Sequence, residues 1–348
     1  MDVRFSAEQR ALRESAGVLV ERLRARSVHD LDDAERSRKL DAAVAASGWR
    51  ELRSADDEGA PWASAVEVAI VAEELGRGAA DTALLGPTLA AELRRLAHAP
   101  AAAGEETVAL TPDLSALAVT GAPAVAADAA GAASALALVA GEGGYALAQV
   151  ALAQVALAAG SDAAVDLTRS FLAVDLPASA PTIGDRLLTE DDLRRWNALG
   201  LAVTSADLVG VMDGAIGLAC EYVGTRQQFG VAVGSFQAVQ HLLADALVAM
   251  EGSRSVALHA AWAVDALAPD EALAAGAVAK AYCARAARRV SEAVIQVHGG
   301  IGNTWECFAH VYLRRALASS DVLGGVGANL ERVLAHHAVY RRHDGRDH

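Results

Sequence analysis

Residues 201–222 read LAVTSADLVGVMDGAIGLACEY. Leu201, Leu208, Val211, Ala215, Leu218 and Tyr222 recur at close to seven residues per two turns, the seam along which antiparallel helices pack. Blocks of similar texture follow from Phe236 to about Leu267, Glu271 to His298, Cys307 to about Ser319, and Gly327 to Tyr340. From about Glu190 onward the chain is therefore expected to form a bundle of long helices.

Working toward the amino terminus, apolar residues between Ser6 and about Ala97 also keep helical spacing. Leu12, Ala16, Leu19 and Val20 share one face, and Val68, Val71, Ala72 and Leu75 another. Ser6 with Glu8 and Gln9 reads as a helix start; Gly48, Gly59 with Pro61, and Gly86 with Pro87 punctuate four or five helices. Between Ala101 and Asp185 the texture changes to short apolar runs, Thr107–Leu110, Ala116–Val119, Ala135–Val139, Tyr145–Leu152 and Phe171–Val174, separated by Gly, Asp and Pro. Such runs predict strands. The five-residue echo ALAQV-ALAQV-ALA at Ala146–Ala158 suits a helix as well as a strand. The fold class is thus mainly α with a small β domain: an N-terminal helical domain (1–100), a shortened middle β domain (101–187) and a C-terminal antiparallel helical bundle (188–348).

Composition narrows the function. Among 348 residues, 53% are hydrophobic and 21% charged, enough for a large core and unlike a disordered chain. A net charge of −14 argues against non-specific nucleic-acid binding. Lys39 and Lys280 are the only lysines among 30 basic residues, which reads as coding bias. Cys220, Cys283 and Cys307 show no metal-ligand spacing, no disulfide framework and no base at readable spacing for a thiol nucleophile; a reducing cytoplasm is expected. The start MDVRFSAEQR has no apolar signal region, and the apolar stretch from Ala133 to Gly160 is broken by Glu142 and three glycines, so no membrane span is expected. His336, His337, His343 and His348 crowd the end without a carboxylate at zincin spacing, and no metal is assigned.

Three motifs carry specific chemistry: YVGTRQQFG at Tyr222–Gly230, SFQAVQHLLAD at Ser235–Asp245, and QVHGGIGNTWECFAHVYLRRA at Gln296–Ala316. Arg226 offers a planar fork of donors suited to a diphosphate, and Gly230 after Phe229 permits a sharp turn. Gln296, Gly299 and Gly300 end a helix and open a turn where an amide and bare backbone can line a ligand. Read alone, Arg226 fits better as an interfacial ion-pair partner, and Phe229 and Phe236 as core. His241 and His298 read as structural hydrogen-bonders, and Glu306 as a structural carboxylate.

In this order and spacing the three motifs resemble the flavin-dependent acyl-CoA dehydrogenase family. The opening FSAEQRALRES, the turn GWRELRSADDEGAP and the helix VEVAIVAEELGRG are similar to its N-terminal part, so the likeness covers roughly Phe5–Ala97 and Ala202–Ala338. The resemblance implies FAD as cofactor. It makes Arg226, Gln228, Phe229, Phe236, Gln237, Gln296, Gly299 and Gly300 contacts to the adenosine-diphosphate half of a neighbouring subunit's FAD. It also implies α,β-desaturation of an acyl-CoA, in which a carboxylate removes the α-proton.

That carboxylate is missing. In the family it stands in a YEGT-like segment or near the start of the first bundle helix. Ungapped counting puts these positions at Leu323 or Gly324, in SSDVLGGVG, and near Gly200, in WNALGLAVTS. Asp207 and Asp321 lie a few residues away and stand as displaced candidates, although either also reads as a surface or helix-start carboxylate. Segments like TEPxAGSD and NGxKxWIT have no counterpart, and VGAN replaces the TxQ-type ending. The pattern resembles the base-lacking subunit of bacterial α2β2 steroid-CoA dehydrogenases. Its expected partners are a catalytic acyl-CoA dehydrogenase subunit, an acyl-CoA at that subunit's site, and electron-transfer flavoprotein or another acceptor. A self-sufficient homo-oligomeric dehydrogenase, a flavin-free binding or regulatory subunit, and an oxidase or monooxygenase on the same fold are the other readings.

Overall fold

The computed structural model describes residues 4–152 and 165–343. The first four α-helices are α1 (Ala7–Leu23), α2 (Ala34–Ala46), α3 (Ala65–Arg77) and α4 (Leu85–Leu96). At the start of α1, Ser6 Oγ accepts the Gln9 N–H while Gln9 Oε1 accepts the Ser6 N–H, a reciprocal cap that satisfies two end donors. Ala16 and Val20, with Val68, Val71, Ala72 and Leu75, are buried in one core; Leu12 and Leu19 pack against it. The periodicity of the sequence marked these faces correctly.

Six strands follow: β1 (Glu106–Leu110), β2 (Pro123–Ala127), β3 (Ser134–Gly141), β4 (Gly144–Ala151), β5 (Phe171–Asp175) and β6 (Thr182–Leu188), in the order β5-β2-β1-β3-β4-β6. The β1/β3 pair is parallel and the others are antiparallel. The expected strand at Ala116–Val119 does not form. Thr111 Oγ1 and the Ser115 N–H and Oγ all close onto Asp113, leaving only isolated bridges at Leu117 and Val119. Two strands escaped the sequence reading. In β2, PAVAA lacks aromatic and most β-branched residues, yet its small side chains fit opposite Ala109 and Leu172; in β6 the charges of TIGDRLL hide the pattern. The front of the ALAQV echo, through Ala151, is strand; residues 153–164 lie outside the described part of the chain.

The bundle consists of α5 (Glu190–Thr225), α6 (Gln237–Ala266), α7 (Pro269–His298), α8 (Ala309–Asp321) and α9 (Val326–His343). A short hairpin, β7 (Gln227–Gln228) and β8 (Val231–Ala232), joins α5 to α6. Helix α5 is long and apolar enough to cross a bilayer, but 89% of its most apolar window is buried within the molecule. It is the central core element, packed against α3, α6 and α7. Its approach to α3 is close because Cβ atoms on Gly76 and Gly210 would overlap the Asp207 and Glu73 carbonyl oxygens. Bare backbones there let the two helices touch.

Candidate functional site

At one end of the bundle, the Tyr222 ring of α5 stacks on the His298 ring of α7, 4.5 Å between centroids. This stack brings the first and third motifs to the same edge. His298 is buried, with Nδ1 2.8 Å from the Val294 carbonyl, in the structural role expected of it. His241 differs: it is exposed on α6, and no hydrogen-bond partner for it is found among the described residues.

Arg226 caps α5 through its backbone and leaves its guanidinium exposed. No ion pair engages it among the described residues, so within the chain it is not an ion-pair partner. The hairpin pairs Gln227 with Ala232 and Gln228 with Val231, leaving Phe229 (φ 53°) and Gly230 (φ 82°) at the two turn positions. Tight hairpins demand positive φ at both positions and favour Asn or Gly. A phenylalanine there costs about 1–2 kcal/mol. Its ring is 93% exposed, edge-on to Phe236 at 6.3 Å, so Phe229 is not core. Gln228, Phe236 and Gln237 are exposed beside it.

Across the edge, α7 ends at His298 and Gly299 turns at φ 66°. Cβ atoms on Gly299 and Gly300 would meet nothing within 4 Å, and Gln296 is exposed one turn back. An unpaired guanidinium, three exposed amides and two bare backbones suit a diphosphate joined to an adenosine. This donor set fits the outer half of FAD.

The second feature is a filled space. Leu323 is fully buried at φ 61°, and its Cδ1 occupies the place a Cβ on Gly200 would need; Leu89 closes the same point from α4. Positions 200 and 323 therefore converge, and they hold no side chain and a hydrocarbon one. The turn carrying Leu323 is held from several directions. Lys280 Nζ donates to the Ser319 and Val322 carbonyls, Arg332 Nη1 to the Leu323 carbonyl, and Asn329 Nδ2 to those of Gly324 and Gly325. The Leu323 N–H donates to the Leu114 carbonyl at 2.7 Å, tying the β1/β2 loop to the same turn. These donors hold Leu323 in a backbone region that side chains seldom adopt.

Of the two displaced carboxylates, Asp207 is held fast and Asp321 lies at the surface. Arg315 donates through Nε and Nη2 to Asp207 Oδ1 at 3.0 and 2.7 Å, Ser319 Oγ donates to Oδ2 at 2.6 Å, and Arg169 Nη1 stands 3.8 Å away. Burial pushes the Asp207 carboxyl up, but Arg315, Arg169 and Ser319 outweigh it and hold it below the ordinary range. A carboxylate so engaged is a poor proton acceptor. Asp321 is exposed at the end of α8. Between α3, α4 and α5, beside Leu84, Leu85, Val203 and Asp207, lies a pocket of about 20 Å³, and a larger cavity of about 470 Å³ shares Thr82, Asp128 and Arg169 with it. The smaller one has room for about one water.

Sequence reasoning missed Arg169, Arg315 and Lys280 as the groups filling this region. Lys280 carried a signal, as one of two lysines in the chain. Burial, then Arg169, lowers its ammonium to about 7. Cys283, one turn further on, is buried and its thiol is pushed up to about 12, an unreactive thiol. Glu306 is exposed; its own backbone N–H, then Thr304, holds its carboxyl low. Among the described residues no His, Cys, Asp and Glu group gathers as metal ligands.

The family model of the acyl-CoA dehydrogenase C-terminal domain matches residues 200–338. The acyl-CoA dehydrogenase IpdE2 of Mycobacterium tuberculosis is 33% identical over 263 residues, covering 74% of this chain and 73% of that protein. Two further curated acyl-CoA dehydrogenases align over only 20% and 50% of their own length, so the chain spans half or less of those relatives. The fold matches the Tcur3481-Tcur3483 steroid ACAD G363A variant with a TM-score of 0.77, 24% identity and coverage of 96% of this chain and 99% of that one. It matches the ChsE4-ChsE5 complex from Mycobacterium tuberculosis with a TM-score of 0.77, 23% identity and coverage of 97% and 99%.

Proposed function

The chain belongs to the acyl-CoA dehydrogenase family, and from that premise we propose that it is the non-catalytic subunit of an FAD-dependent acyl-CoA dehydrogenase. It lends cofactor contacts across an interface to a partner chain that supplies the base and the acyl pocket. The observation that carries this reading is the meeting of Leu323 and Gly200: both base slots face one point, and that point is packed with hydrocarbon. The exposed edge at Arg226 and Gly299 supports it from the other side, since those donors face outward, away from their own chain's core.

In the assembled enzyme Arg226 neutralises the diphosphate, and Gln228, Gln237 and Gln296 hydrogen-bond the adenosine half. Phe229 and Phe236 shield it from water, and Gly299 and Gly300 admit the close approach of backbone. FAD, when bound, supplies the hydride acceptor for α,β-desaturation at the partner's site, and electron-transfer flavoprotein or another acceptor reoxidises it. An α2β2 assembly and a steroid side-chain thioester are the partner count and substrate class we favour, because solved structures of this fold include a steroid ACAD and a two-chain complex. We take 1–100, 101–187 and 188–348 as the units of the chain. The locked Asp207 and the exposed Asp321 speak against a self-sufficient enzyme.

Co-expression with the partner dehydrogenase, followed by flavin absorbance and native mass, tests the proposal. One FAD for every two chains, with acyl-CoA oxidation only when both chains are present, is expected. A homo-oligomer of this chain that carries one FAD per chain and oxidises acyl-CoA alone would overturn it.

A further inference from the structure

An open cavity of about 500 Å³ lies where the loop before α3 meets the carboxyl-terminal end of α4 and the start of α5; Arg53, Trp62, Arg95, Leu96, Arg195 and Asp265 line it. Trp62 is 72% exposed on its rim, yet it is not loose. Its Nε1 donates to the Ala55 carbonyl at 3.2 Å, and its backbone N–H to that of Ser54 at 3.1 Å. The loop that carries it is closed in turn by Asp56, whose Oδ1 accepts the Glu58 and Ala60 N–H groups. An indole pinned at its N–H and largely bare elsewhere is a ready platform for a flat ring.

The charges beside it do not cancel. Arg53 spends its donors on Glu92, Asp265 and the Ala63 carbonyl, and Arg95 spends Nε and Nη2 on Glu92. Asp265 is spent as well, since Oδ1 accepts from Arg53 at 3.0 Å and Oδ2 accepts the Ala65 N–H at 2.7 Å. Burial pushes the Glu92 carboxyl up, but Arg95 and Arg53 outweigh it and hold it below the ordinary range, so it stays charged. Three guanidiniums thus stand against two carboxylates. The third, Arg195, donates through Nη1 to the Val264 carbonyl at 2.8 Å and pairs with no carboxylate among the described residues. Its acidic neighbours in sequence, Asp191 and Asp192, answer Arg194 and Arg186 instead. Nε and Nη2 of Arg195 form the edge of the fork that meets phosphate or carboxylate oxygens in pairs, and no partner for them is found among the described residues. Arg95 Nη1, 3.4 Å from the Gly59 carbonyl, has a donor left to give. A phosphate, which carries more charge than a carboxylate, answers both groups.

We propose that this cavity binds a planar aromatic ring that carries a phosphate, the chemistry of a purine nucleoside monophosphate, with the ring on Trp62 and the phosphate on the free edge of Arg195. Its volume falls within the range of small-molecule sites, about 300–1,000 Å³. Arg195 lies near the start of α5 and Arg226 caps its end, ~46 Å away along the helix. The site is therefore separate from the edge proposed to hold FAD and does not rest on that reading.

Calorimetry of AMP binding to the full chain tests the assignment. One AMP per chain with a Kd below about 1 mM is expected. Adenosine and inorganic phosphate should each bind at least tenfold more weakly, because each lacks one half of the contact. Arg195→Ala should weaken AMP at least tenfold, with Arg195→Lys between the two. Trp62→Ala should also cost at least tenfold, whereas Trp62→Phe keeps a ring and should stay within about threefold. AMP should quench tryptophan fluorescence in the parent chain and not in Trp62→Phe, a readout that a variant damaged in folding would not give while it still binds. Arg226→Ala should leave AMP affinity within about threefold. No saturable AMP binding, inorganic phosphate bound as tightly as AMP, or an affinity unmoved by Arg195→Ala would each overturn the proposal. A loss caused by Arg226→Ala in place of Arg195→Ala would assign the nucleotide to the other end of α5 and overturn it equally.

Discussion

Leu323 and Gly200 are complementary to one another: the leucine Cδ1 fills the volume that a Cβ at position 200 would occupy. Neither residue explains itself alone. A buried leucine at φ 61° is strained, and a glycine inside a long helix costs about 1 kcal/mol relative to alanine. Together they close one point of the core, which Leu89 of α4 also lines.

Gly200→Ala should therefore destabilise the protein by about 1–3 kcal/mol through overpacking, and Leu323→Ala by about 2–5 kcal/mol through an unfilled cavity. The double variant should lose at least about 0.5 kcal/mol less than the sum. Urea unfolding of the four proteins measures the coupling, and strict additivity would show that the two side chains do not meet.

Asp207 and Arg315 form the second test. Removing the guanidinium by Arg315→Met leaves a buried carboxylate with Arg169 3.8 Å away and the Ser319 hydroxyl as its partners. A loss of about 3–5 kcal/mol is expected, and adding Asp207→Asn should recover part of it. A loss below 1 kcal/mol would mean that the network is solvated.

Lys280 makes stability depend on pH in a defined direction. Its folded-state value, about 7, lies below the ordinary 10.5 because burial, reinforced by Arg169, disfavours the ammonium. Between these values the unfolded chain holds the proton and the folded chain has released it, so stability rises with pH across that window and is lost as pH falls through about 7. The slope is at most about 1.4 kcal/mol per pH unit. Lys280→Met should remove this slope; urea midpoints of both proteins from pH 6.5 to 9.5 read it. A parallel pair of curves would show that the amine keeps its proton.

Arg226→Ala should leave the melting temperature of the chain within about 1 °C, since the guanidinium is exposed and unpaired within the chain. In the co-purified complex it should lower bound FAD per particle at least tenfold at limiting cofactor, with Arg226→Lys intermediate because an ammonium lacks the planar fork. Flavin absorbance at fixed protein mass measures this. Unchanged occupancy would remove Arg226 from the cofactor site.

The sequence carried most of the fold because helical periodicity is a local property. Leu201, Leu208, Val211 and Ala215 announce a buried seam whatever surrounds them, and Ser6 with Gln9 announces a helix start. It carried β1, β3 and β5 by the same logic and lost β2, whose alanines become strand only when Ala109 and Leu172 stand opposite them. The edge proposed to hold the cofactor was legible as motifs, since Arg226, Phe229–Gly230 and Gln296–Gly300 lie in short runs of distinctive composition.

By itself the sequence also determined that neither position 200 nor position 323 carries a carboxylate, because a residue's identity needs no coordinates. Only the tertiary structure decided that the two positions are one place, that Leu323 fills it, and that Asp207 is bound by Arg315 instead of free to take a proton. Those facts arise between residues more than a hundred positions apart in the chain. Packing and charge pairing act through space, and no local pattern records which distant side chain will arrive.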